Sequence, residues 1–88
     1  MYHYNICTIA DEVIFQKQCR ALETHLPHLV KDELLEDVDG SLMQRYWLDG
    51  KTIRVYNSND IRSVYIDSEV ELEPYFKGKN KAETPLAE

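Results

Sequence analysis

The chain has 88 residues, 43% hydrophobic and 30% charged, a length and a composition typical of one globular domain. Ten Lys and Arg residues against sixteen Asp and Glu residues give a formal net charge of −6, which disfavours direct binding to nucleic acid and to anionic membranes. The sequence has neither a signal-peptide pattern at its N-terminus nor an apolar run of membrane-spanning length, so we expect a cytoplasmic location.

The first two predicted elements are a strand and a long helix. Residues 2–9 alternate in part between apolar and polar side chains, which predicts a strand. Asp11 then begins a segment with acidic residues in its first turn, and Pro27 marks its end. Four apolar residues of this segment recur at the spacing of one helix face: Phe15, Cys19, Leu22 and Leu26. The segment is therefore predicted to form an amphipathic helix.

The next segment, residues 28–41, is compatible with two structures. Val30, Leu34 and Val38 recur every four residues, as they would along a helix. The sequence Asp-Gly-Ser at 39–41 is instead a turn signal, and the residues after it favour strands. We predict a strand near 30–36 that turns at 37–41, and the alternative is a second helix over 28–38.

A β-hairpin is predicted over residues 42–57, because Asp49-Gly50 stands between two β-rich runs. A two-residue loop sets Leu48 opposite Lys51 and Arg45 opposite Arg54. This register divides the side chains between two faces. The face expected to join the core carries Leu42, Tyr46, Leu48, Ile53 and Val55. The opposite face carries Met43, Arg45, Trp47, Thr52, Arg54 and Tyr56.

A last strand is predicted over residues 61–72, where alternation resumes. The inward residues would be Val64, Ile66, Val70 and Leu72, and the outward ones Tyr65, Asp67, Glu69 and Glu71. Four carboxylates alternate along this stretch, and we call them the acidic row: Asp67, Glu69, Glu71 and Glu73. On a straight strand the acidic row would extend over about 20 Å. A short helix over 69–76 is an alternative, since Ser68 and Glu71 fit a capping box, although Pro74 opposes it.

Together these elements predict an α+β fold. Its mainly antiparallel sheet has four to five strands in the order β-α-β-β-β-β, with the long helix packed on one face. Residues 1–76 are expected to form the single domain, and the charged residues 77–88 a flexible tail. The sheet face that carries Trp47 would then meet water or a partner.

The sequence contains no combination of residues typical of a catalytic or metal site. His25 and His28 have an H-x-x-H spacing, but Pro27 lies between them and no Cys or carboxylate stands nearby at ligand spacing. Cys7 and Cys19 match no zinc or redox motif, and Cys19 lies on the apolar face of the helix. We therefore expect no enzymatic activity, no metal and no cofactor.

The prediction of a partner-binding surface rests on the charged and aromatic residues of the sequence. The candidate partner-binding residues are the acidic row Asp67, Glu69, Glu71 and Glu73, the acidic pair Asp37 and Asp39, the aromatic residues Trp47 and Tyr56, and the arginines Arg45 and Arg54. A purely structural alternative is that the two arginines neutralise the acidic row by pairing with it across the sheet.

The function predicted from these features is inhibition of a basic protein. Bacterial immunity proteins that neutralise basic nuclease-type toxins by occluding the active site or the substrate groove have this combination of small size, acidity and absent catalytic motifs. The alternatives are a phage-type nucleic-acid mimic and a self-associating structural or adaptor module. The chain would be a monomer or a homodimer, and it would bind neither nucleic acid directly nor a membrane.

Overall fold

The computed structural model describes residues 1–76, so the predicted tail at 77–88 lies outside the described residues. In chain order the elements are β1 (Tyr2–Cys7), α1 (Glu12–His25), β2 (Val30–Glu36), β3 (Leu42–Leu48), β4 (Lys51–Ser58), β5 (Ser63–Ser68) and α2 (Glu73–Phe76). The five strands form one antiparallel sheet in the spatial order β1-β5-β4-β3-β2, which places β1 and β2 at its edges. The α+β prediction is confirmed.

The long helix α1 begins and ends where the sequence predicts. The Asp11 side chain accepts hydrogen bonds from the backbone N–H groups of Val13 at 2.9 Å and Ile14 at 3.2 Å, which caps the first turn. Leu26 is the C-cap, directly before Pro27. The helix packs its apolar stripe on one face of the sheet, which we call the inner face. The core between them contains Phe15, Cys19, Leu22, Leu26, Tyr46, Leu48, Ile53, Val55, Val64 and Ile66.

The hairpin between β3 and β4 has the predicted register. Leu48 pairs with Lys51 and Arg45 pairs with Arg54. Asp49 and Gly50 have φ angles of 51° and 79°, the left-handed conformations that a tight two-residue turn requires. This register sends Tyr46 into the core and leaves Trp47 on the opposite face, as predicted.

Residues 30–36 form a strand, so the alternative of a helix over 28–38 is wrong. Val30 and Leu34 are 59% and 57% exposed, which shows that their four-residue spacing does not mark a buried helix face. The pairing of β2 with β3 shifts in register between Lys31 and Leu34. The buried Gln44 side chain donates hydrogen bonds of 3.0 and 3.2 Å to the carbonyl oxygens of residues 32 and 33 at this irregularity. Tertiary pairing therefore decides the conformation of this segment.

The strand predicted over 61–72 is shorter, because β5 ends at Ser68. Ser68 pairs with Tyr2, the first residue of β1, and with Ile53, the third residue of β4, so β1 offers no further residue to pair with β5. The chain bends instead, and the Ser68 hydroxyl accepts a hydrogen bond from the N–H of Val70 at 2.9 Å. Leu72 is nevertheless fully buried, as its predicted inward position requires.

Two smaller differences concern the ends of the chain's described part. The first strand ends at Cys7 instead of residue 9, and an irregularity after Asn5 aligns Cys7 with Val64. Cys7 therefore packs against the core and not on the opposite face. The short helix α2 begins at Glu73, later than the alternative over 69–76, and Pro74 lies in its first turn, where a missing N–H is tolerated.

Candidate functional site

The candidate site is the sheet face opposite α1, which we call the outer face. Within residues 1–76 no helix covers it. The strand register aligns its side chains in rows across the sheet. One row consists of Met43, Tyr56, Tyr65 and Asn5, and the next consists of Arg45, Arg54, Asp67 and His3. The predicted site residues Trp47, Tyr56, Arg45, Arg54 and Asp67 thus share this face.

Trp47 is the centre of a polar cluster at the β2 side of the outer face. Its indole N–H donates to Asp32 Oδ2 at 2.6 Å, and Arg45 Nε donates to the same oxygen at 2.9 Å. Arg45 also contacts Glu33 at 3.4 Å, and its guanidinium carbon lies 5.8 Å from the centroid of the Trp47 ring. The hydrogen bonds from Trp47 and Arg45 lower the pKa of Asp32, and the bond from Trp47 has the largest effect. The Trp47 side chain remains 37% exposed.

Trp47 fluorescence is expected to report the protonation of Asp32. Because the pKa of Asp32 is lowered, its charged form and the hydrogen bond that it accepts from the indole persist below the ordinary value of 3.8, until pH falls through the lower folded-state pKa. The emission of Trp47 should therefore change in a step with its midpoint below pH 3.8. Asp32→Asn is the control, since asparagine keeps an acceptor oxygen but does not titrate. A step that survives in this variant would show that another group perturbs the indole.

Within the described residues, the two arginines of the outer face form no ion pair with the acidic row. Arg45 forms ion pairs with Asp32 and Glu33 of the edge strand β2, whereas the acidic row begins on β5. Arg54 forms no ion pair with any of the described residues, and its buried Nε lacks a hydrogen-bond partner there. Asp67, which lies opposite Arg54 on β5, instead has its Oδ1 2.6 Å from the Nδ1 of His3.

The acidic row does not form a straight ladder. Only Asp67 lies within β5, because the strand ends one residue later. Beyond the strand, Glu69 Oε1 accepts a hydrogen bond from the N–H of Thr52 at 3.0 Å. Glu71 lies in the following loop and Glu73 begins α2, both with exposed side chains. These carboxylates therefore spread around the end of the sheet that contains the Asp49-Gly50 turn.

A groove of about 490 Å³, which we call the acidic groove, lies at the other end of the outer face. Its floor contains Met43, Tyr56 and Tyr65. The two tyrosine rings stack with centroids 4.6 Å apart and planes 14° apart. Burial raises the pKa of Tyr65, and the proximity of Tyr56 and Asp67 adds a smaller increase. The carboxylates along the groove are Glu36, Asp37, Asp39 and Asp60.

The rim of the acidic groove is held in place by hydrogen bonds within one loop and between two loops. Asp37 Oδ1 accepts from the N–H of Val38 at 2.8 Å, and Asp39 Oδ1 accepts from the N–H of Ser41 at 2.9 Å. The bonds from Ser41 lower the pKa of Asp39, so this carboxylate stays charged at neutral pH. Asn59 joins the loops, since its side-chain amide donates to the carbonyl of Asp39 at 2.7 Å and its backbone N–H donates to Ser41 Oγ at 2.8 Å.

Sequence reasoning identified Asp37 and Asp39 but missed other members of both clusters. Asp32 lies in the segment whose structure had two interpretations, so its contact with Trp47 could not be assigned. Asp60 lies in a loop, where alternation carries no information about direction. Tyr65 was predicted to point outward, and its alignment with Tyr56 follows once the β4–β5 register is known.

The described part of the chain offers little else that resembles a reactive centre. Among residues 1–76 no three His, Cys, Asp or Glu side chains are grouped as metal ligands. No helix of this part is both long and apolar enough to cross a membrane. Cys7 and Cys19 are free thiols, and burial raises the pKa of Cys19 to about 11, which makes it a poor nucleophile at neutral pH.

Comparison with known proteins gives no family for this chain: no family model matches it, and neither does any curated protein or solved structure.

Proposed function

We propose that the chain is a small inhibitor that binds a basic protein through the outer face of its sheet. One observation supports this proposal above the others. On the outer face Trp47 is 37% exposed and Tyr56 and Tyr65 are half-buried side chains that line a groove, and acidic clusters lie at both ends of this face. Aromatic anchors surrounded by charge are typical of protein-binding surfaces.

The charge of the domain favours a basic partner. Residues 1–76 contain seven Lys and Arg and fourteen Asp and Glu, a net charge of −7. Such a field attracts a basic protein, raises the rate of association and is screened by salt. The mechanism that we propose is occlusion, in which carboxylates of the inhibitor pair with Lys and Arg residues that otherwise hold phosphate groups. A nuclease-type toxin has such a phosphate-binding surface, and an immunity protein would act by occluding it.

Self-association is a second candidate, and the edge strand β2 favours it. Val30, Leu34 and Leu35 on this strand are 59%, 57% and 44% exposed. An edge strand that exposes apolar side chains is a template for pairing with another strand. The mass of the purified chain in solution separates the two candidates, since a dimer through β2 would form without any partner protein.

The test of the inhibitor proposal is affinity capture from a lysate of the cells that encode the chain. At low salt we expect the tagged chain to retain a basic protein that high salt releases. The released fraction should degrade DNA or RNA, and adding back the pure chain should stop the degradation. Trp47→Ala should weaken this inhibition by about 30-fold, as expected for an aromatic anchor. Val13→Ala, an exposed apolar position on α1, is the matched control and should inhibit normally.

Four results would contradict all or part of the proposal. Nuclease activity that persists after the chain is added back would exclude inhibition. Equal inhibition by Trp47→Ala and Val13→Ala would exclude the outer face as the interface. Recovery of the chain alone, with the mass of a dimer, would favour the self-associating module. A captured protein that binds nucleic acid without cleaving it would instead indicate a nucleic-acid mimic.

A further inference from the structure

We propose that the acidic groove is the receptor for a single Arg or Lys side chain of the bound partner, with Arg preferred. This inference rests on the proposed function, because it assigns one part of the outer face to one part of the partner. Recognition would then centre on a basic side chain that enters the groove, while the rest of the face excludes water around it.

The charge of the groove is complementary to such a side chain. Among residues 1–76, four carboxylates line it and no Lys, Arg or His does. Its volume of about 490 Å³ is within the range of pockets that enclose small ligands. Carboxylates on more than one side can accept the several N–H groups of a guanidinium at once, which an ammonium cannot match with its compact geometry.

The floor of the groove suits the remaining parts of an Arg or Lys side chain. The stacked rings of Tyr56 and Tyr65 provide an aromatic surface that attracts a cation. Met43 and Leu35, which also line the groove, provide apolar contact for the methylene stem. The combination of an acidic rim and an aromatic floor distinguishes this groove from a patch of solvated carboxylates.

The rim is ordered before a partner arrives. Asp37 and Asp39 each hold one oxygen against a backbone N–H, which leaves the second oxygen available as an acceptor. Asn59 fixes their loop to the loop that carries Asp60. Ordered acceptors lose little conformational entropy on binding. The carboxylates of the acidic row, by contrast, spread around the other end of the sheet.

The groove can be tested on the full chain with a peptide probe and without the partner. In ¹⁵N NMR titrations, the blocked tripeptide acetyl-Gly-Arg-Gly-amide should give saturable shifts at the amides of residues 38–41 and Asn59, with little change at Gly50. Acetyl-Gly-Gln-Gly-amide, which has the same length without the charge, should give none. Lys in place of Arg should bind more weakly.

Matched charge variants decide whether the groove itself binds the peptide. The triple substitution Asp37→Asn, Asp39→Asn and Asp60→Asn keeps one acceptor oxygen in each side chain, removes three charges and should weaken Arg-peptide binding about tenfold. Glu69→Gln, Glu71→Gln and Glu73→Gln remove the same charge at the far end of the sheet and should leave binding unchanged. Equal weakening by both triple variants, or equal shifts with the Gln peptide, would overturn the inference. Retained spectral dispersion outside the groove verifies folding.

Failure of this inference is distinguishable from failure of the proposed function. If the groove variant inhibits a captured nuclease as well as the unaltered chain does, the groove is not the receptor but the inhibitor proposal stands. If the Arg peptide binds the groove but no basic protein is captured and inhibited, the groove recognises cationic side chains and the inhibitor proposal fails.

Discussion

Replacing Leu22 by alanine is expected to lower the free energy of unfolding by about 2–5 kcal/mol. Leu22 is fully buried on α1, in the core between the helix and the inner face of the sheet. The substitution removes apolar contacts and leaves a cavity that a packed core fills only in part. A domain of this size has a total stability of roughly 4–13 kcal/mol, so the variant should lose a large share of it.

Val13→Ala on the same helix is the control for this prediction. Val13 is 63% exposed, and alanine has the higher helix propensity, so the free energy of unfolding should change by about 0.5 kcal/mol or less. Urea denaturation monitored by circular dichroism measures both variants. A loss below about 1 kcal/mol for Leu22→Ala would mean that α1 does not pack on the sheet as described.

The elements that the sequence predicts correctly are those with local signals. The Asp49-Gly50 turn determines the register of its hairpin because only a few residue pairs adopt two successive left-handed conformations. The helix α1 combines a capping aspartate, an apolar stripe and a following proline, all within one segment. In both cases the physical cause of the structure lies within about sixteen consecutive residues, so no knowledge of the remaining fold is required.

The errors arise where distant segments decide the outcome. The end of β5 depends on where β1 and β4 begin, which the alternation of residues 61–72 does not encode. The partner of Arg45 depends on β2 being its neighbour at the edge, with an irregular register that brings Asp32 to Trp47. Pairing across a sheet is a non-local property, and periodicity along one strand cannot determine it.

In the candidate site, too, local signals predict one part of the structure and contacts between distant segments determine the rest. Alternation is sufficient to place Trp47, Tyr56 and Tyr65 on a face away from the core. The acidic groove, however, requires the loop at 37–41 to meet the loop that contains Asn59 and Asp60, and these lie about twenty residues apart in the chain. The sequence therefore supports a charged and aromatic surface, and the structure adds the groove within it.

Tyr46→Phe is expected to lower the free energy of unfolding by about 1.5–3 kcal/mol, the range for a hydrogen bond to a charged group. The Tyr46 side chain is fully buried, and its hydroxyl donates to Glu23 Oε2 at 2.6 Å, which joins β3 to α1. Burial, reinforced by this bond, raises the pKa of Tyr46 above the ordinary value of 10.0. The unfolded chain therefore loses this proton first, and the unaltered protein should lose stability above pH 10 more steeply than the variant does.

Tyr56→Phe is the matched control, because Tyr56 lies on the outer face and its hydroxyl has no hydrogen bond within the described residues. Its free energy of unfolding should change by about 0.5 kcal/mol or less. Equal losses for the two variants would contradict a specific role for the bond between Tyr46 and Glu23. If Tyr46→Phe loses stability while the acid step of Trp47 fluorescence remains, core and outer face respond independently. If Tyr56→Phe keeps the stability of the unaltered protein, an effect of this outer-face substitution on inhibition can be attributed to binding and not to folding.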